Sequence, residues 1–464
     1  MAMETAEASI TDVLGELRWR GLLHQCTDEG GLREHLAAGP RRIYCGFDPT
    51  ADSLTIGNLV PIMVLVHFAR AGHEPIVVMG GGTGLIGDPS GKSAERQLQG
   101  KDRIAANVRA QTPIFEDVFR GAGQAAPPVL NNLDWLGKVG FLDALRDVGK
   151  HFSVNQMIQR DSVRERLQNR EQGISFTEFS YMVLQALDFA QLHLTQRVTI
   201  QVGGSDQWGN IVAGTDLIRR LHVELPMQRP GWLQQAVDPD EAQQKLEERA
   251  AVFGLTAPLV TKADGTKFGK TEAGAVWLTP DRTSAYDYYQ FWLNASDDDA
   301  GPFLRTFTLL SRADIEQIET EHAAEPGKRL AQTALARAAT TLRYGDEQMR
   351  QAEQAAAALF SGAIDALPIE QLEHAVADAP SREMPLARLE GGVPLVELLI
   401  EAGLASSKRE AREFLANGAI RINGQPVKLD PAKAALTKVH VLHGKLTVLK
   451  RGKKKQCVVR WVSS

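Results

Sequence analysis

The sequence of 464 residues is poor in cysteine and has no long apolar run, and each shortage excludes a class of protein. Its three cysteines, Cys26, Cys45 and Cys457, form no CxxC pair, which argues against a disulfide framework and a zinc site. Apolar runs such as residues 59–66 fall short of the roughly 18 to 20 residues that a bilayer span needs. The first residues carry no secretory or transit signal. We therefore expect a cytoplasmic protein without a membrane partner.

What the sequence does contain is typical of a globular protein with two to four domains. Hydrophobic residues make up 43% of the chain and charged residues 23%, which excludes wholesale disorder. The net charge is −5, but residues 405–460 carry fourteen Lys or Arg against three acids, so this tail is +11 and the remainder −16. The asymmetry favours a polyanion-binding appendage, although a solvated basic tail would look similar.

Short β-branched runs alternate with helical patterns in the first half of the chain. RIYCGF, EPIVVMG and RVTIQVGG are the runs, and their order predicts βαβ units with a parallel sheet. A helical insertion interrupts the alternation. Three-to-four apolar spacing from residue 284 to about 367 predicts an α-helical domain. The basic tail predicts two short helices and a hairpin that turns at Asn423-Gly424.

The glycine-rich segment GGGTGLIGDPSGK, residues 80–92, follows a predicted strand and should lie at the carboxyl edge of the sheet. A dinucleotide motif fits poorly because Asp88-Pro89 would break the following helix, and a P-loop fails because position 86 is Ile. What remains is a backbone that a ligand can approach closely, near Asp88 and Lys92. A tight structural turn is the alternative.

A polar stripe marks one face of an otherwise apolar helix. Ser175 and Glu178 have capping-box spacing, which predicts a helix that begins near Ser175. Tyr181, Gln185 and Asp188 follow at i, i+4 and i+7, so they share one face. A buried carboxylate needs a partner. The stripe is therefore either a satisfied core network or a binding site for a small polar molecule.

Two further loops carry polar or cationic residues. GGSDQWGNI, residues 203–211, follows a predicted strand, and TKFGKT places Lys267 and Lys270 among glycines. Lysines on a mobile loop suit the charge that develops on a transferring phosphoryl group. A structural turn and an exposed basic loop are the alternatives on composition alone.

In this order, the segments resemble those of the bacterial-type tyrosyl-tRNA synthetases, a class I aminoacyl-tRNA synthetase family. The resemblance covers about residues 10–460. It implies that ATP, with Mg²⁺, activates L-tyrosine to tyrosyl-adenylate and pyrophosphate, and that tyrosine then passes to the 3′-terminal adenosine of tRNA(Tyr). It also implies a homodimer. The matching stretches are YCGFDPTADSL, GLIGDPSGK, EFSYMVLQALDF, GGSDQWGNI and TKFGKT.

The expected fold class is α/β, followed by an α-helical domain and a small α+β RNA-binding domain. By resemblance, a Rossmann-like catalytic domain spans residues 1–260, with a helical dimer-interface insertion at about 130–170. The later segments are a mobile KMSKS-type loop at 261–280, an α-helical anticodon-side domain at 281–370, a linker at 371–392 and an S4-like RNA-binding domain at 393–464.

The resemblance also implies roles for individual residues. Tyr44 and Asp188 would bind the phenolic hydroxyl of tyrosine. The ammonium group and the carboxylate end of tyrosine would contact Asp88, Tyr181, Gln185 and Gln207. ATP and the adenylate would contact Gly46, Asp48, Gly57, Gly204, Asp206, Lys267 and Lys270. The catalytic set would be Lys267, Lys270, Thr50, Thr55 and Asn58. RNA would contact Lys408, Arg409, Arg412 and Arg421. No metal-ligating residue is expected.

The class I HIGH motif reads Thr55-Ile56-Gly57-Asn58 in this chain, so both histidines are absent. We nevertheless expect an active tyrosine–tRNA ligase. The alternative is a catalytically impaired RNA-binding paralog, and the intact tyrosine-contacting positions and loop lysines count against it. Ligation of another amino acid, such as tryptophan, is disfavoured by Tyr44 together with Asp188.

Overall fold

The computed structural model of the chain contains two compact units. The first comprises residues 1–283 and 294–343, and the second comprises residues 284–293 and 344–464. The residues whose structure is described are 12–90, 98–160, 163–164, 167, 173–224, 251–266, 268–271, 274–376, 379–427, 434–452 and 455–462.

A six-stranded sheet forms the centre of the first unit. Its strand order is β1-β6-β5-β2-β3-β4, and all pairs are parallel except β1 with β6. The strands are β1 Gln25–Cys26, β2 Arg42–Phe47, β3 Glu74–Met79, β4 Val129–Asn131, β5 Val198–Gly204 and β6 Phe253–Ala257. Because the strand order reverses between β2 and β5, a ligand crevice is expected at their carboxyl ends.

Helices surround this sheet, which explains why its strands are apolar without alternation. All residues of β3 after Glu74 are buried. Helix α8 begins directly after its N-cap Ser175, whose side chain accepts from the Glu178 backbone N–H, as the sequence predicted. The helices are α1 Val13–Trp19, α2 Glu29–Ala37, α3 Leu59–Arg70, α4 Lys101–Gly121, α5 Leu133–Leu136, α6 Phe141–Asp143, α7 Val154–Ile158, α8 Phe176–Gln196, α9 Trp208–Glu224, α11 Asp297–Phe307, α12 Arg312–Ala324 and α13 Leu330–Tyr344. A short antiparallel pair, β7 Lys270–Thr271 and β8 Gly274–Ala275, completes this unit.

The second unit is built on a five-stranded sheet of order β12-β11-β14-β15-β9, beside the short pair β10 and β13. The hairpin from β11 to β12 turns at Asn423-Gly424, with φ of 48° and 81°, as predicted. The strands are β9 Ser381–Pro385, β10 Val393–Pro394, β11 Ile420–Ile422, β12 Gln425–Val427, β13 Ala435–Leu436, β14 Leu446–Arg451 and β15 Lys455–Val462. The helices are α10 Ala285–Leu293, α14 Asp346–Ser361, α15 Ile369–Ala375, α16 Leu395–Glu401 and α17 Lys408–Ala416.

Residues 371–392 are not a plain linker, which corrects the sequence-based boundary. Within them, β9 pairs in parallel with β15 and extends the sheet. The sequence SREMP gave no strand signal because β9 lies at the edge of the sheet, where only its Met384 is buried. The helices of residues 281–370 are divided between the two units. No helix in the described part of the chain is long and apolar enough to cross a bilayer.

We expect Gly121→Ala to destabilise the first unit. A Cβ atom at Gly121, the last residue of α4, would lie 2.0 Å from the carbonyl oxygen of Leu342 in α13. A backbone oxygen cannot rotate away, so overpacking should lower the free energy of unfolding by about 1 to 3 kcal/mol. Urea unfolding followed by circular dichroism measures this. Gly327→Ala, with no atom within 4 Å of its Cβ position, is the control, and equal stability of both variants would contradict the packing argument.

Candidate active site

The carboxyl ends of four parallel strands bring the polar residues of the site together. Asp48 follows β2, Thr83 lies just beyond β3, Asn132 follows β4 and Gln207 lies just beyond β5. Loops at this edge of an open α/β sheet are where ligands bind. The sequence predicted Asp48 and Gln207 as site residues, whereas Asn132 and Thr83 were not predicted.

Asp188 lies on α8 with only 4% of its surface exposed. Its Oδ2 accepts a hydrogen bond from Asn132 Nδ2 at 2.8 Å, and its Oδ1 accepts from Trp135 Nε1 at 2.7 Å. Burial raises the pKa of Asp188 to about 7, and the two hydrogen bonds oppose that rise only in part. The carboxyl group is therefore held in place while it is still able to change charge near neutral pH.

Tyr44, on β2, is equally buried, and its ring centre lies 5.4 Å from that of Phe189. Its hydroxyl has no hydrogen-bond partner among the described residues. Burial, followed by the charge of Asp188, raises the pKa of Tyr44 well above its usual value. The structure thus brings Tyr44 and Asp188 into one buried region. A buried hydroxyl is stable there only if something pairs with it.

Tyr181 connects the helix to the loop after β2. Its hydroxyl donates to Asp48 Oδ2 at 2.9 Å, and the Thr83 hydroxyl donates to Asp48 Oδ1 at 2.8 Å. Burial raises the pKa of Tyr181 first, and the charges of Asp48, Asp88 and Asp188 add to the effect. Three carboxyl groups therefore act on one phenol, and the electrostatic potential at this point favours a cation.

A second hydrogen-bonded group contains the remaining residues predicted to bind tyrosine. Gln207 Nε2 donates to Asp88 Oδ2 at 2.5 Å. Asn210 Nδ2 donates both to Gln185 Oε1 at 3.1 Å and to Gln207 Oε1 at 3.2 Å. Asn210 therefore links two predicted residues, although the sequence gave it no role.

Glycines leave room for these polar side chains. A Cβ atom at Gly80 would lie 2.0 Å from Asp48 Oδ1, and one at Gly204 would lie 2.6 Å from Asp206 Oδ1. Gly46 is exposed near the end of β2. The predicted nucleotide-side glycines thus stand where a larger residue would displace an acidic side chain or cover the strand end.

The Thr55 to Asn58 turn is closed by its own side chains. The Thr55 backbone N–H and the Thr55 hydroxyl both donate to Asn58 Oδ1, each at 3.0 Å. Since a backbone N–H can only donate, the atom that it meets must be the amide oxygen. The NH₂ group of Asn58 consequently points away from Thr55. Gly57, between them, is exposed.

The chain after the lysine loop packs on this turn. Thr55 forms a β-bridge with Trp277. A Cβ atom at Gly269 would lie 2.6 Å from Ile56 Cγ2. Lys267 and the side chain of Lys270 lie outside the described residues.

Thr50 lies exposed in the loop after β2. Its carbonyl accepts from Gln99 Nε2 at 2.8 Å. The neighbouring Asn107 Nδ2 donates to the Pro49 carbonyl at 2.8 Å. Two amide side chains therefore hold the backbone of this loop. Lys92, which the sequence placed beside Asp88, lies outside the described residues.

Comparisons with known proteins identify the family. Residues 36–361 match the tRNA synthetases class I (W and Y), and residues 371–459 match the tyrosine–tRNA ligase SYY-like C-terminal domain. A tyrosine–tRNA ligase of Bacillus caldotenax is 49% identical over 453 residues, which cover 97% of this chain and 100% of that protein. The chain belongs to the tyrosine–tRNA ligase family. A tyrosine–tRNA ligase of Aliivibrio salmonicida is 46% identical over 447 residues, which cover 96% of this chain and 97% of that protein.

Solved structures of this family have the same fold. A C-terminally truncated mitochondrial tyrosyl-tRNA synthetase of Coccidioides posadasii has a TM-score of 0.61 at 33% identity, covering 74% of this chain and 91% of that one. The corresponding structure from Aspergillus nidulans has a TM-score of 0.65 at 29% identity, and the match covers 76% of this chain and 96% of that one. The sequence-based prediction of an α/β tyrosine–tRNA ligase is confirmed, and the matches lend no support to a catalytically impaired paralog.

The basic residues of the family's C-terminal domain lie on two faces of the sheet in the second unit. Lys408, Arg409 and Arg412 are exposed on α17, and Lys408 Nζ lies 3.3 Å from a carboxylate oxygen of Glu397. Arg421 lies between Ile420 and Ile422, which are buried in the same core as α17. Because strand side chains alternate between faces, Arg421 points away from α17.

Four polar residues of the site escaped the sequence analysis: Thr83, Asn132, Trp135 and Asn210. Asn132 could have been predicted as a site residue, since it directly follows a short strand at the sheet edge where the other polar loops meet. Trp135 has a large apolar ring, which gives no sign of a polar role in the sequence, but its indole N–H donates to Asp188.

The raised pKa of Asp188 predicts how stability depends on pH. Between about pH 4 and pH 7 the unfolded chain loses this proton while the folded chain keeps it, so the free energy of unfolding should fall with rising pH. In urea unfolding from pH 5 to pH 8, the wild-type value should fall relative to that of Asp188→Asn by roughly 1.4 kcal/mol per pH unit and level off above pH 7. If the free energy of unfolding of the wild-type chain and of Asp188→Asn changed in parallel with pH, the raised pKa of Asp188 would be contradicted.

Proposed function

We propose that L-tyrosine binds at the carboxyl edge of the first sheet, with its phenol beside Tyr44 and Asp188. The observation that carries this proposal is the buried Tyr44 hydroxyl, which has no partner among the described residues and lies within the electrostatic influence of a buried carboxyl group. The phenolic hydroxyl of a bound tyrosine both donates and accepts, so it can form one hydrogen bond with the Tyr44 hydroxyl and one with the Asp188 carboxyl group. Phenylalanine would leave them unpaired, which is the physical basis of its rejection.

The ammonium group of tyrosine is bound among Asp88, Tyr181 and Gln185. The combined charge of Asp48, Asp88 and Asp188 at Tyr181 supports this orientation, because a cation lowers the repulsion between the carboxylates. Gln207, bonded to Asp88, lies near the carboxylate of tyrosine, the group that reacts.

The first reaction step needs no nucleophile from the protein. A carboxylate oxygen of tyrosine attacks the α-phosphorus of ATP, the bond to the β-phosphate oxygen breaks, and pyrophosphate leaves. A ribose hydroxyl of the terminal adenosine of tRNA(Tyr) then attacks the tyrosyl carbonyl and releases AMP. The proposed contacts to ATP and the adenylate are Gly46, Asp48, Gly57, Gly204 and Asp206, with Thr50, Lys267 and Lys270 stabilising charge on the phosphates.

Mg²⁺ enters with ATP in this proposal. In the described part of the chain no three His, Cys, Asp or Glu side chains are grouped so that they could hold a metal ion. Mg²⁺ is usually bound by substrate phosphates and water together with one or two carboxylates, so in this proposal ATP brings most of its ligands. The ion would neutralise charge on the departing pyrophosphate.

A homodimer and a cytoplasmic location complete the proposal. The helical insertion exposes 68% of Phe141, 78% of Leu142 and 48% of Leu145. Large apolar side chains grouped in this way are typical of a protein interface, and a second copy of the chain is the partner that the family suggests. The basic C-terminal domain would bind tRNA(Tyr) through Lys408, Arg409, Arg412 and Arg421.

Thr55 has an indirect role in this proposal. Its single hydroxyl proton is donated to Asn58, so that proton is not available for a phosphate. The bond instead fixes the Asn58 amide with its NH₂ group turned away from Thr55. Thr55 is thus a positioning residue for Asn58, and the enzyme stays active without the histidines of the HIGH motif.

Tyrosine-dependent exchange of labelled pyrophosphate into ATP tests the proposed pocket. We expect the wild-type chain to exchange with tyrosine, and Asp188→Ala to reduce its preference for tyrosine over phenylalanine by about 5- to 150-fold, the effect of unpairing a buried polar group. Asp134→Ala, an exposed carboxylate on the nearby α5, is the control. An unchanged preference in Asp188→Ala would reject the pocket, and no exchange by the wild-type chain would reject the activity.

A double-mutant cycle on Thr55 and Asn58 tests the positioning role. We expect Thr55→Val to lower kcat of the exchange reaction by about 2- to 10-fold, the effect of one lost hydrogen bond, and Thr55→Ser to retain the wild-type rate. Asn58→Ala should lower kcat by more, about 10²-fold. In the Asn58→Ala background, Thr55→Val should have no further effect. Independent, multiplicative losses would mean that Thr55 contacts ATP directly.

A further inference from the structure

The chain after the lysine loop is hydrogen-bonded to the chain that leads into the turn at the position of the HIGH motif. The backbone N–H of Ile56 donates to the Val276 carbonyl at 2.9 Å, and that of Leu278 donates to the Leu54 carbonyl at 2.8 Å. These two bonds form a short antiparallel ladder. Residues 276–279, which we call the return segment, are therefore attached to the backbone of the turn.

The return segment is also continuous with the lysine loop. Strand β7, which begins at Lys270, pairs with β8, and β8 ends directly before Val276. The Val276 backbone N–H donates to the Gly269 carbonyl at 3.0 Å. The backbone of the loop thus ends on the return segment, so a shift of this segment on the turn would also shift the loop.

Arg282 contacts both chains of the ladder. Its guanidinium carbon lies 4.1 Å from the centre of the Trp277 ring, and its Nε lies 3.0 Å from Asp52 Oδ1. Trp277 belongs to the return segment, whereas Asp52 belongs to the chain that leads into the turn. One side chain therefore joins the two chains through a cation–π contact and an ion pair.

A tight backbone turn brings Arg282 back over Trp277. The Arg282 backbone N–H donates to the Thr279 carbonyl at 3.1 Å, and Pro280 occupies the second position of this four-residue turn, where its fixed φ is favoured. The Thr283 hydroxyl accepts from the Trp277 backbone N–H at 2.9 Å. An exposed ion pair usually contributes little, partly because its side chains must be ordered. Here the turn already fixes the base of the arginine side chain, which reduces that cost.

We propose that Arg282 is a positioning residue for adenylate formation. By bridging Asp52 and Trp277, it holds the return segment, and with it the lysine loop, in register with the turn. The inference rests on the proposed function, in which the loop lysines stabilise charge on the phosphates of ATP, and it adds three residues that touch no substrate. Groups that stabilise a transition state must be held to within about 0.5 Å. Loosening their support should therefore slow the reaction more than it weakens substrate binding.

A contribution to stability alone is the alternative role for these contacts. In that case their loss would lower the free energy of unfolding but leave the turnover of the folded enzyme unchanged. The side chains of Arg282 and Asp52 are 38% and 45% exposed, so removing either one leaves no buried unpaired charge. The variants should therefore fold, and kinetics on the folded protein distinguish the two roles.

The first experiment measures tyrosine-dependent pyrophosphate exchange by the full chain. We expect Arg282→Ala to lower kcat by about 3- to 30-fold, the combined range of an exposed ion pair and a cation–π contact. The KM for tyrosine should stay unchanged, because the loop is proposed to act on the phosphates. An unchanged kcat, or a raised KM for tyrosine without a loss of kcat, would overturn the positioning role.

A double-mutant cycle tests whether Asp52 acts through Arg282. Asp52→Asn should lower kcat in the wild-type background by no more than Arg282→Ala does, because it leaves the contact with Trp277 in place. In the Arg282→Ala background, Asp52→Asn should have no further effect on kcat. Multiplicative losses would mean that the two side chains act separately, and they would contradict the proposed bridge.

A matched ion pair at the other edge of the same sheet provides the control. Arg42 and Glu74 lie at the amino ends of β2 and β3, with 2.8 Å between Nε and Oε2 and side chains 41% and 57% exposed. Arg42→Ala should leave kcat unchanged, and a loss equal to that of Arg282→Ala would overturn the specific role of Arg282. If the wild-type chain did not exchange, the proposed function would fail. If it exchanged and Arg282→Ala exchanged equally fast, only the positioning role would fail.

Discussion

The burial of the Asp188 carboxyl group is the constraint on which the rest of the active site depends. Removing a carboxylate from water costs several kcal/mol unless donors replace the lost hydration. Asn132 and Trp135 supply two donors, yet the pKa still rises to about 7. The two donors do not fully replace the lost hydration, and one more hydrogen-bond donor would stabilise the charged form of Asp188. A substrate phenol can provide it while it also accepts from Tyr44.

The proposed site divides its charge between two ends. Three carboxyl groups act on Tyr181, whereas the sequence places two lysines on the loop that carries Gly269, which packs on the Thr55 to Asn58 turn. An acidic end suits an ammonium group, and a basic end suits phosphates. In the proposed binding mode, a tyrosine held at the first end presents its carboxylate toward the second, and this polarity orients both substrates for attack on phosphorus.

Local chemistry explains which features the sequence could predict. The start of helix α8 and the turn of the Asn423-Gly424 hairpin each depend on residues within a few positions of each other. Both could therefore be predicted from the sequence. Asn132 and Trp135 meet Asp188 only because β4 pairs beside β3, and no spacing within the chain encodes that contact. Strand β9 could not be predicted for a related reason. It lies at the edge of its sheet with a single buried side chain, which does not produce the alternating apolar pattern of a strand.

The distribution of charge limits where a polyanion can be held. Outside residues 405–460 the chain carries −16, and the candidate active site itself concentrates carboxyl groups, which in our proposal bind an ammonium ion. A tRNA is repelled by such charge, and the basic segment is therefore where we propose that it binds. Selection of tyrosine and attraction of tRNA therefore impose opposite demands on charge. Assigning them to separate units satisfies both, in keeping with the net positive charge of residues 405–460 and the net negative charge of the remainder.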